Sequence, residues 1–126
     1  MTSRGDSFEQ LLLDSIDEGL SILGTEPQQA VYHFLLTICS LRREEIPERV
    51  AEFDAGVKKA LGGAAKVIEK VILKRLFEKT GSLFREVPET DFKDYVADAR
   101  RRFEVLSHRH EESAEGVRSK KGQVSG

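Results

Sequence analysis

Seven large apolar side chains, Val67, Ile68, Val71, Ile72, Leu73, Leu76 and Phe77, fall within the twelve residues 67–78. They recur three and four apart with adjacent doublets, which marks a helix that meets neighbours on more than one side. The polar residues between and beside them, Lys66, Glu69, Lys70, Lys74, Glu78 and Lys79, collect on one narrow strip. Gly62 and Gly63 precede the segment, and Gly81 follows it where a left-handed residue ends a helix. The pattern predicts a central helix over 64–80 around which the rest of the chain packs.

Upstream, Phe8, Leu12, Leu13, Ile16, Leu20 and Leu23 carry the same periodicity, with Asp6 or Ser7 as cap and Asp14, Asp17 and Glu18 facing water. Gly24 closes this helix. Thr25 is the expected N-cap of a second helix reaching about residue 40, with Gln28 completing a capping box and Pro27 tolerated in the first turn. Its apolar set is Ala30, Val31, Phe34, Leu35, Ile38 and Cys39. After the polar stretch LRREE, Pro47 suits the first position of a third helix, with Val50, Phe53, Val57 and Leu61 as its stripe. On that helix Asp54 and Lys58 make an exposed i,i+4 pair worth about 0.3 kcal/mol. Residues 82–89 read as a linker carrying Pro88. Phe92, Tyr95, Val96, Ala99, Phe103 and Leu106 then line a fifth helix over 90–106, capped by Thr90. Residues 1–5 are expected to fray. The polar stretch 107–126 has almost no large apolar residue and is expected to be disordered.

No segment has the alternation of a strand. The expected fold is therefore all-α, a single small domain of about five helices: four in a core over 6–81 and one added after the linker. Short connections between helices favour antiparallel neighbours.

Composition narrows the function classes. With 126 residues the chain has room for one modest core. Twenty basic residues against 22 acidic ones leave a net charge of −2, which argues against a dedicated nucleic-acid binder. No apolar run reaches the roughly 18 residues of a membrane span, so no membrane contact is expected. The start MTSRGDSFEQ has no apolar signal core. The single cysteine, Cys39, forms no intrachain disulfide and reads as a buried, inert thiol, which suits a cytoplasmic setting.

Few residues suggest chemistry. Gly62, Gly63 and Lys66 at a helix start lack the spacing of a phosphate loop, and no strand precedes them. His33 has Gln29, Ala30, Leu36 and Thr37 one turn away and no metal-ligating companion, so it reads as structural. His108 and His110, with Glu111 and Glu112, form a pattern able to hold a metal only adventitiously. Asp14, Asp17 and Glu18 read as a solvated face. No nucleophile has a suitable partner. The chain is expected to have no catalytic, cofactor-binding or metal-ligating residues and not to be an enzyme. Two basic features remain. One is the strip Lys66, Lys70 and Lys74 on the central helix. The other is Arg100, Arg101 and Arg102, which the fifth helix pairs with the aromatic stripe Phe92, Tyr95 and Phe103. Aromatics and arginine are the residue types enriched at protein interfaces.

Four segments carry a resemblance: SIDEGLSILG (15–24), AVYHFL (30–35), RREEIPE (42–48) and GAAKVIEKVILKRLFEKTG (63–81). Over residues 8–81 the chain resembles the fifth of the Nitrosopumilus output domains, a small archaeal family. The resemblance implies an effector or interaction domain that occurs alone or attached to signalling modules, with no catalytic residues to carry over. The chain departs from the family in LLTICS (35–40), which is apolar where family members tend to be polar; packing by the fifth helix is one reason it would be.

The expected function is a non-catalytic cytoplasmic interaction or signal-output module with a protein partner, compatible with a homo-oligomer. The candidate partner surface is Phe92, Tyr95, Arg100, Arg101, Arg102 and Phe103. The alternative is a nucleic-acid-binding regulator that uses Lys66, Lys70 and Lys74 or the arginine triplet.

Overall fold

The apolar arc centred on Ile72 becomes helix α4, Ala64–Lys79, which forms its broadest contact with α1, Phe8–Ser21. The computed structural model describes residues 7–115, those from 7 to 106 with their side chains. Within them the order is α1, α2 (Thr25–Cys39), a 3-10 helix (Arg43–Glu48), α3 (Val50–Leu61), α4 and α5 (Phe92–Glu115). The described residues are all-helical and share one core. None of the described helices is long and apolar enough to cross a membrane.

Helix ends follow local chemistry. Ser7 caps α1, its Oγ accepting from the Gln10 backbone N–H at 3.2 Å. Gly81 ends α4 at φ +81°. Its N–H donates to the Glu78 carbonyl at 3.1 Å, and the Ser82 N–H donates to the Phe77 carbonyl at 2.8 Å. That pair of bonds is a Schellman motif, and its left-handed residue favours glycine.

Several boundaries differ from those read in the sequence. Gly24, not Thr25, is the N-cap of α2, and no side chain caps it. Gln28 instead donates through Nε2 to the Asp17 carbonyl of α1 at 2.8 Å, so a helix–helix bond takes the place of the capping box. Pro47 lies inside the 3-10 helix rather than opening α3, which starts at Val50. The preceding polar stretch is anchored by buried Leu41 and Ile46. The fifth helix continues to Glu115, so 107–115 are helical rather than disordered. The segment SHRHEESAE contains neither glycine nor proline, and nothing in it breaks a helix before Gly116. Residues 1–6 and 116–126 lie outside the described residues.

The core joins Leu12, Ile16 and Leu20 of α1, Val31 and Leu35 of α2, Phe53 and Val57 of α3, and Ile68, Ile72, Leu76 and Phe77 of α4. Helix α5 adds Phe92, Val96 and Ala99 and packs mainly on α3 and α4. It is therefore part of the core rather than an appendage covering LLTICS. Val67 is exposed, so the buried arc of α4 is narrower than its sequence suggests.

Candidate functional site

The segment after α4 does not swing free. Phe84 sits edge-on between Phe77 (ring centroids 5.4 Å apart) and Tyr95 (5.1 Å). The Tyr95 hydroxyl accepts from the Val87 N–H at 2.7 Å and donates to the Val87 carbonyl at 2.9 Å. Lys70 of α4 pairs with Glu86 at 2.9 Å. These contacts tie the connecting segment to α4 and α5, and beside it lies a groove of about 580 Å³. Its walls include Lys58, Lys66, Glu69, Lys70, Phe84 and Tyr95. Behind Tyr95 lies a second hollow of about 680 Å³, lined by Phe77, Arg85, Asp98 and Arg102.

The groove unites parts of both sequence-derived candidate sets, Lys66 and Lys70 with Phe92 and Tyr95. The remaining candidates are dispersed. Phe92 is only 5% exposed and stacks on Phe53 with centroids 5.8 Å apart. Phe103 packs on Phe8 at 6.0 Å. Arg100 donates to Glu9 at 2.8 Å and lies over the Phe8 ring at 4.7 Å. That guanidinium holds the Glu9 carboxyl below its usual range. Arg101 and Arg102 both bond Asp98. Lys74 is exposed and does not line the groove. The stripe thus faces inward, because the same residues that would suit an interface complete the core.

Glu69 is the residue the sequence concealed. It falls on the polar strip by spacing, yet it is 7% exposed and turned toward Asp54 of α3. Burial first, and the neighbouring Asp54 second, push its carboxyl up to about 9. Asp54 Oδ2 accepts from Lys58 at 3.2 Å, whereas Asp54 Oδ1 and Glu69 Oε2 are buried without a partner among the described residues. The isolated fact that Glu69 interrupts a lysine strip was the available signal.

Asp17 was also misread as solvated. It accepts from the Tyr32 hydroxyl and from Arg43, whose Nε lies 3.1 Å away. Burial and Asp17 together raise the Tyr32 phenol well above its ordinary range. Tyr32, Arg43, His33 and Leu36 border a shallow hollow of about 340 Å³ on α2. His33 is exposed on its rim. The side chains of His108 and His110 lie outside the described ones.

Gln28 and Tyr32 reach α1 from one flank of α2. At 100° per residue, Phe34 and Ile38 lie on the other flank. Ile38 is 61% exposed, and Phe34 is partly exposed and outside the packed core. The apolar run LLTICS is therefore left largely uncovered, Leu36 being 49% exposed as well. Comparisons with known protein families, with curated proteins and with solved structures return no match to this chain.

Proposed function

We propose that the chain is a non-catalytic interaction or signal-output module whose protein partner docks on the outer flank of α2. The observation that carries this reading is Ile38, 61% exposed, with the partly exposed Phe34 one helical turn before it. An uncovered isoleucine beside a partly covered phenylalanine on one helix flank suits an apolar partner surface. The signal-output role rests on the resemblance of residues 8–81 to the archaeal output domain, and the cytoplasmic setting on the composition.

Charge supports a protein partner over nucleic acid. Arg100, Arg101, Arg102 and Lys70 are each matched by a carboxylate of the same chain. Of the candidate basic residues, that leaves Lys66 and Lys74 without an ion pair among the described residues, too few for a phosphate-tracking face. Affinity capture with the wild-type chain and with Ile38→Glu tests the proposal. The variant is expected to lose the captured protein while keeping its helicity. Tight binding of random duplex DNA by the full chain, falling steeply with salt, would transfer the reading to a nucleic-acid-binding regulator.

A further inference from the structure

Two buried carboxylate oxygens, Asp54 Oδ1 and Glu69 Oε2, face the α3–α4 contact with no donor among the described residues. Buried polar atoms are almost always partnered. Two ionised carboxylates side by side would leave both atoms orphaned and would repel each other. One proton removes both difficulties, because a protonated Glu69 donates from Oε2 while Asp54 accepts at Oδ1. The other Asp54 oxygen is already engaged by Lys58 Nζ at 3.2 Å, so that pairing leaves no second donor for Oδ1. Geometry thus accounts for three of the four carboxylate oxygens with a single hydrogen and a single ammonium.

We infer that Asp54 and Glu69 share one proton that locks α3 to α4, and that its loss turns Glu69 outward and recharges the adjoining groove. Glu69 already lines that groove, so its carboxylate has somewhere to go. The charged and titratable groups that line the groove with it are Lys58 from α3, Lys66 and Lys70 from α4, Glu86, Glu89 and Asp91 from the connecting segment, and the Tyr95 hydroxyl from α5. The lysines receive the new carboxylate. Burial and the neighbouring Asp54 keep the proton in place at neutral pH, against the pull of Lys58. An exposed surface glutamate titrates without moving a helix contact; this one titrates inside it. The groove accordingly has two charge states, and the switch between them lies on the alkaline side of neutrality.

The sign follows from the raised folded value. An unfolded glutamate titrates near 4.5, and the folded one near 9. The native state therefore holds the extra proton between those limits. The stabilising contribution is fully present below the lower value and is lost as pH rises through the upper one.

Carboxyl carbon NMR of the full chain tests the inference directly. The Glu69 side-chain carbon is expected to titrate with a midpoint near 9. In Asp54→Asn the amide donates to a Glu69 carboxylate, and the midpoint falls below the wild-type one, burial alone still holding it above the ordinary range. Thermal melts provide the second readout. The wild-type Tm is expected to fall between neutral and alkaline pH, and Glu69→Gln, which keeps a donor toward Asp54, to lose most of that fall. A wild-type midpoint in the ordinary range overturns the shared proton, as does a midpoint that Asp54→Asn leaves unmoved. An equal alkaline fall of Tm in Glu69→Gln overturns the lock.

Discussion

Gly19 of α1 lies directly against Ile72 of α4, so close that a methyl group on Gly19 would stand 2.5 Å from Ile72 Cγ1. The absence of a side chain at one residue is what lets the other fill the contact. Gly19→Ala is expected to destabilise the domain by about 1–3 kcal/mol through overpacking. Ile72→Ala, which opens a cavity at a fully buried position, should cost about 2–5 kcal/mol. Combined, the two should cost less than their sum, since the added methyl occupies part of the space vacated. Chemical denaturation of the three variants measures this, and strict additivity would show that the two residues are not in contact.

The adjacent glycines before α4 should respond with opposite signs. Gly62 has φ +58° with ψ −130°, a conformation closed to L side chains, whereas Gly63 is right-handed helical with open space around it. Gly63→Ala is expected to stabilise by about 0.4–1 kcal/mol by restricting the unfolded chain. Gly62→Ala should destabilise by about 1 kcal/mol or more. Paired melting curves check the reversal.

Truncation after residue 81 should leave an aggregating chain. Without α5, the faces of Phe53 and Phe8 that meet Phe92 and Phe103 are exposed to water. Size-exclusion chromatography with circular dichroism checks this, and a folded monomer would mean that α5 contributes little to the core. Within the full chain, Phe92→Ala should cost about 3–5 kcal/mol.

Tyr32 and Tyr95 are the two tyrosines, and alkaline difference absorbance should show Tyr32 still un-ionised where a free phenol has titrated. Burial and Asp17 raise its folded value. Its stabilising contribution is thus complete below about 10 and lost only as pH climbs through the raised value. Tyr32→Phe should cost about 1 kcal/mol, the net worth of one hydrogen bond. Arg43→Ala should cost no more than about 1 kcal/mol, because both members of the ion pair are 37% exposed and screened by solvent.

The all-helical fold and the glycine that ends α4 were legible in the sequence because periodicity and backbone conformation are local properties. What was not legible depended on neighbours. Phe92 and Phe103 have the composition of an interface, and only their proximity to Phe53 and Phe8 assigns them to the core. Ile38 has the spacing of a core residue, yet none of the described elements buries it and it stays 61% exposed. Glu69 and Asp17 sit at positions that spacing assigns to water, yet a second helix brings a carboxyl to one and a phenol with a guanidinium to the other. Thr25 satisfied the capping pattern, but Gln28 found a better acceptor eleven residues back.

Glu9 and Arg100, 91 residues apart in the chain, meet beside the stacked rings of Phe8 and Phe103. During synthesis at about 5–20 residues per second, the first helix emerges on the order of 5–20 s before the last one. Over that interval the Phe8 face has no permanent neighbour. Completion of this core therefore waits for α5, and the nascent chain exposes the apolar faces that α5 covers until that helix arrives.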